Sequence, residues 1–171
     1  MNIRLVKKAQ KGDDKAFLKL FQKLQEDIYR TAYVYVKNKD DALDIVQDVA
    51  YQSFKKINTL KTPEYFKTWI IRMTINCAIN VTRRNKKVVP LIADFENLIG
   101  EEEQYLPLLS VKELIDILQE EEKSVILLRF YHDHTIKEIS EILDIPLGTA
   151  KTVLYRAINK LRKNVKEAGE L

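Results

Sequence analysis

The segment from Phe66 to Val81 constrains the fold most, because its apolar residues cover most of the circumference of one helix. At helical spacing, one stripe consists of Phe66, Trp69, Ile70, Met73, Cys77 and Val81, and a second consists of Ile71, Ile75 and Ile79. A helix that is apolar on so many sides is buried by neighbours on several sides. We therefore predict a helix, opened by Pro63, at the centre of a helical bundle, with Trp69 in its core.

Further helices are predicted on both sides of this segment. Apolar residues spaced i, i+3, i+4, i+7 from Phe17 to Ala32 predict one helix with Asp13 as its N-cap, and another helix begins at Asp40. Ser110 and Thr135 each begin the Ser/Thr-x-x-Glu pattern of a capping box. A further helix is predicted through EEEKSVILLRFY. Because no segment shows sustained apolar/polar alternation, the predicted fold class is all-α.

Charge is distributed unevenly along the 171 residues. Residues 1–88 carry 19 Lys and Arg against 9 Asp and Glu, residues 89–122 carry 1 against 10, and residues 123–171 carry 9 against 6. The helix-breaking residues cluster in the acidic stretch. We predict two small helical domains, 1–88 and 110–171, joined by an acidic linker at 89–109. The basic first domain indicates a polyanionic partner.

Composition argues against several classes of protein. Cys77 is the single cysteine, which excludes an internal disulfide and a cysteine-based zinc site. The four glycines do not have the spacing of phosphate-binding loops or of a nucleophile elbow. We expect no catalytic residue, cofactor, metal site or small-molecule substrate. No signal peptide or membrane-spanning stretch is evident, so a cytoplasmic protein without direct membrane insertion is expected. His132 and His134 could join carboxylates in a metal site, but a polar turn is the favoured interpretation.

The end of the chain has the pattern of a helix-turn-helix domain. A short helix capped at Thr135 is broken by Asp144-Ile145-Pro146, and a longer helix follows from Leu147 to about Lys163. The side of this last helix opposite its packing face carries groups that bind base edges and phosphates: Gly148, Thr152, Tyr155, Arg156, Asn159 and Lys163. Its N-terminus, with Gly148 and Thr149, favours an approaching phosphate.

DIPLGTAKTVLYRAINKLR resembles the promoter-recognising helix-turn-helix of bacterial extracytoplasmic-function (ECF) sigma factors of the sigma-70 family. Two other segments, DDALDIVQDVAYQSFKKI and YFKTWIIRMTINCAINVTRRNKK, are similar to further motifs of that family. The three occur in the family's order across essentially the whole chain. The resemblance implies a non-enzymatic factor that directs core RNA polymerase to specific promoters and assists promoter melting, held inactive by an anti-sigma factor.

The resemblance also implies roles for individual residues. The surface that binds core polymerase is Asp44, Gln47 and Asp48. The contacts with the melted minus-10 strand and its phosphates are Thr62, Arg72, Asn76, Arg83, Arg84, Lys86 and Lys87. The contacts with the double-stranded minus-35 element are Gly148, Thr149, Lys151, Thr152, Tyr155, Arg156 and Asn159. Val153 departs from the family, in which Arg is common at that position.

A stand-alone helix-turn-helix transcriptional regulator is the alternative interpretation. Such regulators usually bind symmetric half-sites as dimers, and the sequence shows no sustained heptad repeat or second sensor fold. The two interpretations differ in what DNA binding requires. A sigma factor binds promoter DNA tightly only with core polymerase, whereas a regulator binds its operator alone.

Overall fold

The computed structural model describes residues 2–87, 115 and 117–169. These residues contain eight α-helices and no β-strand, which confirms the predicted all-α fold. The N-terminal bundle consists of α1 (Ile3–Gln10), α2 (Asp14–Gln22), α3 (Gln25–Val36), α4 (Lys39–Lys56) and α5 (Phe66–Lys87). The C-terminal unit consists of α6 (Glu120–Ile126), α7 (Ile136–Leu143) and α8 (Leu147–Gly169). The predicted linker and the capping box at Ser110 lie outside the described residues.

Helix α5 is the central helix of the N-terminal bundle, as predicted. It packs against both α3 and α4, and its fully buried apolar residues are Phe66, Ile70, Ile71, Ile75 and Ala78. Pro63 opens a short 3-10 turn before α5, where its missing N–H costs no helix hydrogen bond. Trp69 packs on the core beside Phe66 but is only partly buried, because its other side lines a cleft towards α7.

The beginning of the chain differs from the prediction. Residues 17–32 belong to two helices, α2 and α3, so the prediction of one continuous helix was wrong. Leu24 lies at the break and is still buried, which explains why the apolar spacing continues across it. Asp13 is the N-cap of α2, as predicted, and accepts a 2.9 Å hydrogen bond from the Ala16 N–H. Helix α1, which the sequence analysis did not identify, is capped by Asn2.

The C-terminal unit contains the predicted helix-turn-helix, formed by α7 and α8. Thr135 and Glu138 form the predicted capping box at the start of α7. Asp144 ends α7 in the left-handed conformation, with φ 56°, a conformation that Asp tolerates better than most residues. The helix predicted through Tyr131 becomes a π-helical segment after Ile126.

The two parts of the chain pack against each other. Buried apolar residues of both parts, among them Ile75 on α5 and Ile142 on α7, belong to one continuous core cluster. The Tyr35 hydroxyl lies 2.7 Å from the Ser124 hydroxyl, and α5 contacts α7. The C-terminal unit therefore covers part of α3 and α5. Within the described residues, no helix is both long and apolar enough to cross a membrane.

Candidate nucleic-acid interface

Helix α8 presents one continuous polar face to solvent. Ala150, Val153 and Ala157 are buried and fix the rotation of the helix. Opposite them, all the residues predicted to contact the minus-35 element are exposed: Gly148, Thr149, Lys151, Thr152, Tyr155, Arg156 and Asn159. Val153 is part of the packing face, so it takes no place on the exposed one. The face combines hydrogen-bond donors, acceptors and positive charge, as major-groove recognition requires.

Arg156 on this face is held by a buried carboxylate. Its Nε donates a 2.8 Å hydrogen bond to Oε1 of Glu122 on α6, and the Lys160 Nζ donates to Oε2 at 2.8 Å. The Glu122 side chain is 0% exposed, whereas the Arg156 side chain is 47% exposed. Burial raises the pKa of Glu122, but hydrogen bonds from Lys160, the Gln119 N–H and Arg156 outweigh it and hold that pKa below its ordinary value.

The sequence analysis did not identify Glu122. It is the third residue of α6, and it accepts a hydrogen bond from the backbone N–H of the N-cap residue Gln119 at 2.9 Å. The acidic run of residues 120–122 occupies the first turn of α6, where acidic side chains are favoured by the positive end of the helix dipole. Local spacing does not distinguish which of the three acids turns inward towards α8.

The predicted polymerase-binding residues lie on the outer face of α4. Asp44, Gln47 and Asp48 are all exposed. Exposed apolar side chains flank them on the same helix, at Leu43 and Tyr51. A groove of about 370 Å³ adjoins Leu43 and is lined by Gln22, Gln25, Glu26, Tyr29 and Val46. This mixed polar and apolar face has the composition of a protein-binding surface rather than of a DNA-binding one.

The predicted minus-10 residues follow α5 and the loop before it. Thr62 and Arg84 are exposed, Lys86 and Lys87 fall in the last turn of α5, and the Arg83 Nε lies 3.2 Å from Oε2 of Glu120. Arg72 and Asn76 line a cavity of about 220 Å³ between the two parts of the chain. Thr149, at the start of α8, lines the same cavity. The structure thus brings residues from the two predicted DNA-binding sets together.

His132 and His134 lie at the junction between the two parts. The Thr31 hydroxyl donates to the Asp27 carbonyl at 2.6 Å, so it accepts the 3.1 Å hydrogen bond from the His132 Nε2–H. The Nδ1 of His132 is buried without a partner. Within the described residues, no group of three or more His, Cys, Asp and Glu is placed to hold a metal ion. The two histidines lie in the turn between the π-helical segment and α7, where the favoured interpretation placed a polar turn.

Comparison with known families assigns both parts of the chain. Residues 20–88 match the family described as Sigma-70 region 2, and residues 114–163 match Sigma-70, region 4. The chain is an ECF sigma factor of the sigma-70 family. This result favours the sigma factor over the stand-alone regulator. Sigma factors are DNA-binding transcription initiation factors that act with RNA polymerase.

Individual proteins agree with this assignment. The chain is 37% identical over 142 residues to RNA polymerase sigma factor SigV of Bacillus subtilis. The aligned residues cover 81% of this chain and 84% of SigV. It is 26% identical over 178 residues to ECF RNA polymerase sigma factor SigW of the same organism, at 95% coverage of both chains.

Solved structures show the same fold. CnrH in complex with the cytosolic domain of CnrY superposes with a TM-score of 0.74 at 19% identity, covering 96% of this ECF sigma factor and 97% of that chain. RpoE of Bartonella quintana, in complex with the anti-sigma factor NepR, gives a TM-score of 0.73 at 18% identity, covering 89% and 98%.

Proposed function

We propose that this sigma factor places core RNA polymerase on promoters through three separate surfaces. Helix α8 contacts the minus-35 element, α5 and the loop at Thr62 contact the minus-10 element, and the outer face of α4 contacts polymerase. The observation that carries the proposal is the arrangement of α8. All the predicted minus-35 residues share its exposed face, while Ala150, Val153 and Ala157 anchor the opposite face in the core.

The two DNA surfaces would do different work. On α8, the backbone N–H groups at Gly148 and Thr149 suit a phosphate, and Arg156 suits the O6 and N7 acceptors of a guanine. On α5, Asn76 would bind the edge of a base that has left the stack, a step that costs a few kcal/mol. Arg83 and Arg84 would contact phosphates, which position the strand without specifying its sequence.

Promoter binding would require the two parts of the chain to separate. Arg72, Asn76 and Thr149 are exposed to solvent, but they line one cavity of about 220 Å³ between the two parts of the chain, and that cavity is too small for a DNA strand to pass between α5 and α8. We propose that contact with core polymerase favours the separated arrangement. This would explain why a sigma factor binds promoter DNA weakly by itself.

We further propose that an anti-sigma factor holds this chain inactive, by analogy with RpoE of Bartonella quintana and its complex with NepR. The proposed place of action is the cytoplasm, where polymerase meets the chromosome. No hydrolytic or other enzymatic step is part of the proposal. Binding energy from the polymerase and the DNA contacts would drive melting.

Run-off transcription with purified core polymerase tests this function. We expect promoter-specific transcripts from a panel of candidate promoters only when core polymerase and this protein are both present, and co-elution of the two on gel filtration. Core polymerase alone and the protein alone are the controls. Tight binding of the free protein to a palindromic site, without transcripts and without co-elution, would contradict the proposal.

A further inference from the structure

Glu122 joins α6 to the DNA-facing helix α8 through two hydrogen bonds and accepts a third from the N-cap residue of its own helix. Its Oε1 accepts from the Arg156 Nε at 2.8 Å, and its Oε2 accepts from the Lys160 Nζ at 2.8 Å and from the Gln119 N–H at 2.9 Å. Both oxygens are therefore occupied by donors on different elements. The carboxylate is fixed in its plane and does not turn away from Arg156.

Folding alone gives a weak reason for this arrangement. A fully buried carboxylate loses its hydration, and the attraction of its partners often does no more than offset that loss. An apolar side chain at position 122 would fill the same space between α6 and α8 at comparable stability. Position 122 instead carries a carboxylate, which accepts a hydrogen bond from Arg156 on the exposed face of α8.

Glu122 holds only one of the three guanidinium nitrogens of Arg156. The hydrogen bond to Glu122 engages Nε, which leaves the two terminal nitrogens of the guanidinium for another partner. The side chain is 47% exposed, so this second partner can approach from solvent. A free arginine loses rotamer entropy when it is immobilised, and an arginine already held by a carboxylate loses less.

We propose that Glu122 is a positioning residue for promoter recognition, which holds the Arg156 guanidinium ready for bidentate contact with a base edge in the minus-35 element. This inference rests on the proposed function, in which α8 contacts that element. It assigns part of the sequence specificity to a residue that never touches DNA. Lys160 and the Gln119 N–H act through Glu122, because they keep its Oε1 aimed at Arg156.

The test compares base preference rather than activity alone. Glu122→Gln keeps the size of the side chain and removes its charge. The full-length variant is reconstituted with core polymerase and transcribes templates that carry each of the four bases at every minus-35 position. We expect discrimination at one position to fall on the order of tenfold, within the range that a bidentate arginine contact provides. Co-elution with core polymerase should be unchanged.

Two further variants identify the cause. Glu121→Gln removes one charge from an exposed position of the same helix turn and should leave the base preference unchanged. Arg156→Ala should remove the preference at the same template position that Glu122→Gln affects. In the Arg156→Ala background, Glu122→Gln should have no additional effect on the preference, because Glu122 acts through that side chain.

Different failures would have different meanings. If Arg156→Ala alters the preference at one position and Glu122→Gln leaves it intact, the positioning role is wrong and the proposed function stands. If Arg156→Ala changes no preference at all, the role of Arg156 is wrong, and the inference is overturned with it. If circular dichroism shows that Glu122→Gln does not fold, Glu122→Asp provides the same comparison, because it keeps the charge and withdraws the carboxylate by one methylene.

Discussion

Tyr35 on α3 donates a hydrogen bond of 2.7 Å to Ser124 on α6, in the buried junction between the two parts of the chain. The Ser124 hydroxyl donates its own proton to the Glu120 carbonyl at 2.8 Å, so its oxygen is the acceptor for the phenol. The bond therefore contributes to the arrangement in which the C-terminal unit covers α5. Arg72 and Asn76 are exposed to solvent and line the open cavity that this arrangement forms between the two parts of the chain.

Tyr35→Phe should favour separation of the two parts of the chain and so widen access to the proposed minus-10 residues in the free protein. The substitution keeps the ring and removes one buried hydrogen bond, which is worth about 1 kcal/mol. Because the Ser124 hydroxyl still donates to the Glu120 carbonyl, the substitution leaves no buried donor without an acceptor. We expect the affinity of the free protein for a single-stranded minus-10 oligonucleotide to rise about fivefold in fluorescence anisotropy. Tyr51→Phe, on the exposed face of α4, is the control, and equal affinities of the two variants would contradict this prediction.

Local sequence spacing was sufficient to predict the elements that are anchored by repeated apolar contacts or by a cap. The two apolar stripes of residues 66–81 predicted a buried central helix, and α5 is that helix. The capping-box spacing at Thr135 predicted the start of α7. Such signals are local, because their residues lie within a few helical turns of one another. The exposed face of α8 was predictable for the same reason.

Relationships between distant residues were not predictable from local spacing. Leu24 continues the apolar pattern through the break between α2 and α3, because its side chain is buried although it belongs to neither helix. Glu122 is one of three consecutive acids, and its contact with Arg156 spans 34 positions of the chain. Tyr35 and Ser124 are single polar residues within apolar patterns. Only the three-dimensional packing pairs them, so the contact between the two parts of the chain had no signal in the sequence.

The outer face of α4 provides a second prediction. The double substitution Gln47→Ala with Asp48→Ala should weaken binding to core polymerase on the order of tenfold, the effect of about 1.4 kcal/mol. Both side chains are exposed, so the free energy of unfolding should change by less than about 0.5 kcal/mol. Biolayer interferometry with immobilised core polymerase measures the affinity. Asp14→Ala, an exposed acid on α2, is the control, and an unchanged affinity of the double variant would count against this surface.

The cap of α7 provides a third prediction. The Thr135 hydroxyl accepts a 3.3 Å hydrogen bond from the Glu138 N–H, and Oε2 of Glu138 accepts from the Thr135 N–H at 2.7 Å. Thr135→Ala should lower the free energy of unfolding by about 0.5 to 2 kcal/mol, the usual cost of losing such a cap. Thr135→Ser keeps the hydroxyl and should remain close to the unmodified protein. Urea unfolding followed by circular dichroism compares them, and equal midpoints of all three proteins would contradict the role of the cap.

His132 makes the stability of the folded protein dependent on pH. Burial lowers the pKa of His132 to about 4, and of its charged neighbours Asp27 raises that pKa while Lys67 and His134 lower it. The ordinary pKa of histidine is about 6.5. Between about pH 4 and pH 6.5, His132 therefore binds a proton in the unfolded chain but remains neutral in the folded protein. Protonation would also convert the unpartnered Nδ1 into a buried donor.

Lowering the pH from 6.5 to 4 should therefore destabilise the folded protein. The sign follows from linkage, because stability rises with increasing pH wherever the unfolded state binds more protons than the folded state. His132 contributes at most about 1.4 kcal/mol per pH unit to the slope, and its contribution is complete above pH 6.5. His132→Gln retains a donor towards Thr31 but does not titrate. Urea unfolding at several pH values should give a shallower slope for this variant, and the difference between the two profiles isolates His132 from His134. Parallel profiles would show that His132 is not held neutral in the folded state.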